Sequence, residues 1–359
     1  MSKKIGIVTG GGDCPGLNAV IRAVAKAALR RDWNTIGVLG GFEGLIEPQN
    51  IRPLFYRDLD GLLARGGTIL GTANRGRFAA KTGHGQIRAL PAELIDETRR
   101  GFDRLGLRGL VVIGGDGTLT VAQQLHENGM PVVGVPKTID NDLSGTAATF
   151  GFDSAVACAM DALDRLHTTA ESHNRVMVLE VMGRYAGWIA VYAGIAGGAD
   201  VILIPEVPFS YDSVCAKIAE REAAGRRFTI VVAAEGAHEI DGSERVAGNQ
   251  DNREERLGGI GGAIAAEIAE RTGKETRAVV LGHLQRGGSP TNMDRALCTM
   301  FGTKAVELIA DGRFGRMVSF TGTDVVDVPI SEAVHELRLV PTDSGFVQSA
   351  RALGISLGD

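Results

Sequence analysis

The sequence predicts an α/β protein of two doubly wound, mainly parallel domains. Three observations carry that reading. Apolar runs of strand length alternate with amphipathic stretches of helix length, which implies parallel sheets wound by right-handed crossovers. The runs are continuously apolar and often β-branched, as in strands buried on both faces. The 50 glycines gather at the strand ends, where tight βα turns and close approach of ligand need them.

In chain order, the strand-length runs are Ile5 to Val8, Ile36 to Leu39, Leu110 to Ile113, Val132 to Val135, Val176 to Val181, Val201 to Ile204, Ile230 to Ala234 and Ala278 to Leu281. Between the first two, Leu17, Val20, Ile21, Val24 and Ala28 recur at helical spacing, as Ala155, Ala159, Ala162, Leu163 and Leu166 do later. No fixed-period repeat is present. The stretch from His238 to Arg256 has the least pattern and reads as an exposed loop.

At 359 residues the chain exceeds one ordinary core and suits two domains. With 44% apolar and 23% charged residues, it holds no run near the roughly 18 apolar residues that a membrane span requires. The N-terminus runs straight into a strand with no export signal. A net charge of -5 gives no field for gripping nucleic acid, so neither nucleic acid nor membrane is expected as a partner, and small anions must be held by local arginines. Cys14, Cys158, Cys215 and Cys298 are isolated and lack metal-ligand spacing. They read as reduced thiols of a cytoplasmic protein.

Chemistry concentrates in three loops. TGGGDCPG at 9 to 16 lies between a strand and a helix starting near Leu17, where backbone amides and the helix dipole favour a phosphate. It matches neither the dinucleotide fingerprint nor the Walker loop, and alone it is equally an ordinary βα turn. GGDGT at 114 to 118 is sharper. Its glycines bring the chain close to a ligand, Asp116 offers Mg²⁺ a carboxylate, and Thr118 stands where a helix opens; otherwise Asp116 is an N-cap. PKTIDND at 136 to 142 then supplies carboxylates, Asp140 and Asp142, able to take a hydroxyl proton, with Lys137 and Thr138 beside them for developing charge. The competing reading is an Asn-Asp turn bonded to its own backbone. Together the loops indicate phosphoryl transfer to an alcohol.

TGGGDCPGLNA at 9 to 19, RGGTILGT at 65 to 72, GGDGT, PKTIDND, ESHNRV at 171 to 176, EVMGRYAG at 180 to 187 and LGHLQRGGSP at 281 to 290 together resemble the 6-phosphofructokinases, in the family's order and over most of the chain. The resemblance implies that family's fold: two three-layer sandwich domains across a cleft, a donor domain at 1–150 plus about 286–335 and a sugar-phosphate domain at about 151–285 plus 336–359. It implies transfer of the γ-phosphoryl of ATP to the 1-hydroxyl of fructose 6-phosphate, with Mg²⁺ as cofactor. It also implies a homotetramer whose active sites are shared between subunits.

By the same resemblance, Gly11, Arg75, Gly115, Asp116, Gly117 and Thr118 hold the donor, Asp116 orients Mg²⁺, and Asp140 is the proton acceptor. Thr138, Asp140, Met182, Gly183 and Arg184 contact the sugar near its reacting hydroxyl, with Thr138 and Arg184 joining Asp140 in the catalytic set, while Glu235 binds another hydroxyl. Arg175, Arg277, His283 and Arg286 take the 6-phosphate, Arg175 and Arg277 arriving from the adjacent subunit. Guanidinium forks suit that task because they donate paired, charge-assisted bonds.

Donor choice turns on Gly117 and Lys137. Pyrophosphate users commonly place an aspartate at the position of Gly117, where it excludes the α-phosphate of a nucleotide; glycine leaves room and favours ATP. Lys137 resembles the lysine of pyrophosphate users, which makes pyrophosphate the alternative donor. A silent sugar-phosphate or nucleotide sensor is a third class, but it predicts loss of Asp116 or Asp140, and both are present. Other departures are Gly10 where serine is usual, an offset around Arg75, His167 where effector-regulated relatives carry arginine, and an extra segment at 238 to 258 typical of mixed-substrate sequences.

Overall fold

The computed structural model describes residues 3–73, 76–82, 86–240, 242 and 259–359. Arg75 therefore lies outside the described residues, as does most of the loop expected from His238 to Arg256. The chain divides into two compact units, Met1–Ser154 with Arg286–Leu337 and Ala155–Gln285 with Arg338–Asp359. Among the described residues, no helix is long and apolar enough to cross a membrane.

The first unit is built on a sheet ordered Val325–Pro329, Arg316–Phe320, Val132–Pro136, Leu107–Gly114, Lys4–Thr9, Asn34–Val38, Ile51–Leu54. The central strands are parallel and the two edge pairings antiparallel. Every interior run read from the sequence is a strand, because each is apolar on both faces and both faces are covered. One face packs on helices Ala92–Leu105 and Asp116–Glu127 through Val8, Leu110, Val112 and Val132 against Leu94, Phe102, Leu119 and Leu125. On the other lie Leu17–Leu29 and Asn292–Ala310, which approach closely because residue 302 is glycine: a β-carbon there would lie 2.6 Å from Ala23 Cβ.

The second unit carries a parallel sheet ordered Thr276–Val280, Val176–Val181, Thr229–Ala234, Val201–Leu203. Val176, Val178, Val231 and Ala233 face helices Tyr211–Ala223 and Ile260–Thr272. Helix Trp188–Ala196 covers the opposite face, its Gly194 leaving space for the Ile202 side chain, since a β-carbon would come within 2.6 Å.

Both sheets reverse their direction of winding next to the first strand of the unit. In the first, Lys4–Thr9 and Leu107–Gly114 are neighbours at that reversal; in the second, Val176–Val181 and Thr276–Val280 are. Open α/β sheets bind ligands at the carboxyl ends of strands at such a point.

Candidate active site

The three loops singled out in the sequence leave the carboxyl ends of three adjacent strands of the first unit. The Gly10 N–H donates to Ile113 O at 3.0 Å, and the Lys137 N–H to Gly114 O at 3.0 Å, so each loop is tied to the next by backbone. Gly11 has φ 77, a conformation that favours glycine, and Lys137 Nζ lies 3.2 Å from where its β-carbon would be. Its amide, expected to meet the donor phosphates, donates to Ala73 O at 3.0 Å, and Thr72 Oγ1 donates to its carbonyl at 2.6 Å. Donation to a phosphate requires exchange of the Ala73 bond.

Lys137 is only 3% exposed, and its ammonium donates to Gly12 O. Burial pulls its pKa below the ordinary lysine value. Arg286 Nη1 donates to Asp13 O at 3.3 Å and would meet a β-carbon on Gly12 at 2.9 Å. Arg286, expected on the sugar phosphate, thus lies in the first unit against the loop at 12 to 13. The thiol of Cys14 points at Phe150 O, 3.8 Å away, and burial pushes it up to about 12, so it is an inert core group.

Helix Asp116–Glu127 begins at Asp116 with Gly115 as cap, so the aspartate carboxylate is not the cap but sits in the first turn beside the positive end of the dipole. Thr118 is buried, whereas a β-carbon on Gly117 meets nothing within 4 Å. In the third loop, the Asp140 N–H donates to Thr138 Oγ1 at 3.1 Å, and the Thr138 hydroxyl bonds the Asp142 carboxylate. Asn141, at φ 52 and buried, accepts from the Thr149 N–H at 3.0 Å. The local side-chain to backbone bond of the loop is thus made by Thr138, while the Asn141 side chain reaches eight residues along the chain instead of closing an Asn-Asp turn on its own backbone. Burial first, then the charges of Asp140 and Asp116, push Asp142 up to about 7.

In the second unit, Met182, Gly183 and Arg184 follow Val176–Val181, Glu235 follows Thr229–Ala234 and His283 follows Thr276–Val280, all at carboxyl strand ends. The Glu235 N–H donates to Val181 O at 2.8 Å and the Gly236 N–H to Gly183 O at 3.2 Å, which sets Glu235 beside the MGR segment. Gly183 has φ 135, and a β-carbon on Gly236 would come within 2.0 Å of Arg184 O. Arg184 lies over the Tyr185 ring at 5.1 Å, its buried Nε without a hydrogen-bond partner among the described residues.

Arg175 and Arg277 stand apart from this group. Arg175 precedes Val176, and Arg277 pairs with Met177, so both occupy the amino edge of the sheet. At about 3.3 Å per residue, strand Val176–Val181 separates them from the Met182–Arg184 and His283 end by roughly 20 Å. The basic groups do not all fall beside the same loops within one chain, because a strand start and a strand end are opposite edges.

Three positioning residues were not singled out from the sequence. Asn18, fully buried, donates to Arg65 O and Gly66 O at 3.2 and 3.0 Å and accepts from the Ile69 N–H at 2.8 Å, fixing the RGGTIL segment. Gln285, also 0% exposed, accepts from the Met182 N–H at 2.7 Å. Glu180 receives the Gly259 and Gly261 amides at 3.0 and 2.7 Å, capping helix Ile260–Thr272. A polar residue among apolar ones was the available signal for Asn18 and Glu180; Gln285, between Leu284 and Arg286, carried none.

The Phosphofructokinase family profile matches residues 4–309. An ATP-dependent 6-phosphofructokinase of Chloroflexus aurantiacus is 52% identical over 357 residues, covering 99% of this chain and 98% of that one. A pyrophosphate–fructose 6-phosphate 1-phosphotransferase of Amycolatopsis methanolica is 50% identical over 343 residues, covering 95% and 97%. Among solved structures, Pichia pastoris phosphofructokinase in the T-state superposes with a TM-score of 0.82 at 31% identity over 93% of this chain; the match spans 38% of the yeast chain.

Proposed function

The chain belongs to the phosphofructokinase family, and from that membership we infer its reaction: it transfers the γ-phosphoryl group of ATP to the 1-hydroxyl of fructose 6-phosphate, giving fructose 1,6-bisphosphate and ADP. The observation that carries the residue-level reading is that the loops bearing Asp116 and Asp140 leave adjacent strands, tied by backbone hydrogen bonds to each other and to the first glycine loop at a sheet reversal. Asp140 accepts the proton of the 1-hydroxyl as its oxygen bonds to the γ-phosphorus and the bond to the ADP oxygen breaks. Thr138 accepts from the Asp140 N–H and bonds the Asp142 carboxylate, which fixes the backbone under Asp140, and Arg184 steadies the transferring group. Lys137, held against Gly12, offsets charge on donor phosphates, while Arg286, held against Asp13, keeps its expected role on the 6-phosphate.

Mg²⁺ neutralises and orients the triphosphate when bound. A carboxylate in the first turn of a helix beside two glycine loops fits a phosphate-bound divalent cation, and Asp116 would hold it. Among the described residues there is no cluster of three or more His, Cys, Asp or Glu that could hold a metal ion, which suits an ion that takes most ligands from phosphate and water.

The first unit serves the donor and the second the sugar phosphate, through Met182, Gly183, Arg184, Glu235 and His283. Because Arg175 and Arg277 sit at the far edge of their own sheet, those serving a given phosphate come from a neighbouring subunit of a homotetramer. A cytoplasmic setting accords with the free thiols at all four cysteines.

Pyrophosphate is the second reading, favoured by buried Lys137 and by the Amycolatopsis relative. A coupled assay of fructose 1,6-bisphosphate formation with each donor decides between them. ATP is expected to support turnover and pyrophosphate not. Turnover with pyrophosphate alone reverses the donor assignment, and turnover with neither identifies a sensor.

A further inference from the structure

The two arginines read as phosphate ligands already hold an anion. Arg175 Nη2 and Arg277 Nη2 each lie 2.8 Å from the same oxygen, Glu275 Oε1. Two guanidinium groups so close repel each other, and the carboxylate between them removes the repulsion and fixes both forks. The trio keeps a net charge of +1, so attraction for a further anion remains. Arg175 Nε is buried with no hydrogen-bond partner among the described residues, so Glu275 leaves part of that fork unused. Arg175 holds the Glu275 carboxyl below its ordinary range, so it stays ionised at neutral pH. The Glu275 side chain is 42% exposed and has room to leave, while its backbone carbonyl is fixed by the Val176 N–H at 3.1 Å.

We propose that Glu275 is an internal stand-in for the phosphate monoester of the substrate: it neutralises and aligns Arg175 and Arg277 while the site is empty and yields to a phosphate dianion when one arrives. The proposal rests on the reading of Arg175 and Arg277 as phosphate ligands. Glu275 gives each arginine a single bond to one oxygen, whereas a terminal phosphate has three oxygens and twice the charge. The phosphate displaces it, and the displacement is charged against affinity. Ligands that bring only one negative charge fail to displace it. Glu275 therefore acts as a specificity-determining residue for a dianionic phosphate monoester without touching the reacting atoms.

Steady-state kinetics of Glu275→Gln in the full-length enzyme tests this. Exposed ion pairs are individually modest, so the Michaelis constant for fructose 6-phosphate is expected to fall by about 3- to 10-fold, with kcat and the Michaelis constant for ATP unchanged. Inorganic phosphate should inhibit the variant more strongly by a similar factor. Glu275→Asp, which keeps the charge on a shorter arm, should fall between the two and guards against a folding defect. An unchanged or raised Michaelis constant for the sugar phosphate in Glu275→Gln overturns the proposal, a rise marking a fixed positioning role instead. Arg277→Ala separates the underlying reading: if it leaves the sugar-phosphate constant unchanged, the arginine assignment fails, whereas a raised constant there with no gain in Glu275→Gln removes only the stand-in.

Discussion

The Thr118 side chain fills the place that a β-carbon on Gly10 would need: Cγ2 would be 2.7 Å and Oγ1 2.8 Å from it. The first turn of helix Asp116–Glu127 is thereby packed on the loop after Lys4–Thr9, which accounts for the glycine at position 10. Gly10→Ser should destabilise by about 1–3 kcal/mol, the usual cost of overpacking. Thr118→Ala in the same chain should restore much of that loss, since the two sites are in contact. Denaturant melts of the single and double variants give the coupling; strictly additive effects contradict the packing.

A side chain at residue 117 meets open space, so Gly117→Asp is expected to fold normally. It should weaken use of ATP far more than any use of pyrophosphate, by placing charge where a nucleotide's α-phosphate passes. Equal losses in kcat/KM for both donors would sink the steric account of donor choice.

Asp140→Asn should lower kcat by about 10² to 10⁴ while leaving fructose 6-phosphate affinity nearly intact, because a positioned base acts in the transition state. Single-turnover measurements with saturating donor check it, and unaltered turnover removes Asp140 from the role.

Burial and the neighbouring carboxylates push Asp142 up to about 7 in the folded protein, well above an ordinary carboxyl. The folded state therefore binds this proton more tightly than the unfolded chain, and the group's contribution to stability falls as pH rises from about 4 through about 7. Without Mg²⁺, Asp142→Asn should raise the melting temperature at pH 8 and change it little at pH 4. In kinetics, removing one of two like charges should shift the acid limb of kcat to lower pH. A limb that stays in place dissociates Asp142 from the titration of the base.

Asn18→Ala deletes three hydrogen bonds and strands the backbone groups of Arg65, Gly66 and Ile69. A loss of about 2–4 kcal/mol is expected from urea unfolding. A loss under half a kcal/mol shows that segment 65 to 69 is held by other contacts.

The parallel interior strands were legible because each is a compact apolar run, and Leu17–Leu29 because its buried face recurs at helical spacing. Ile51–Leu54, Arg316–Phe320 and Val325–Pro329 were not read. Ile51–Leu54 and Val325–Pro329 are antiparallel edge strands, short and partly exposed, and Pro53 is tolerated only because its strand is an edge; Arg316–Phe320, parallel to Val132–Pro136, is buried at its centre, but Ser319 interrupts its apolar residues. The candidate donor loops were legible from residue type, since glycine, hydroxyl and carboxylate in sequence already describe a place for phosphate. The positioning roles of Asn18, Gln285 and Glu180 depend on partners up to more than a hundred residues away, which a local pattern does not contain.

The sequence by itself determined that its compact apolar runs become strands, which loops carry charge-handling groups and to which family the chain is similar, because periodicity and motif are local properties. Only the tertiary structure decided that the three donor-side loops leave adjacent strands, that Arg286 lies on the loop at 12 to 13, and that Arg175 and Arg277 stand at the opposite sheet edge from His283 with Glu275 between them. Strand order and edge are set by long-range packing of both sheet faces, and no stretch of sequence encodes its neighbour across a crossover.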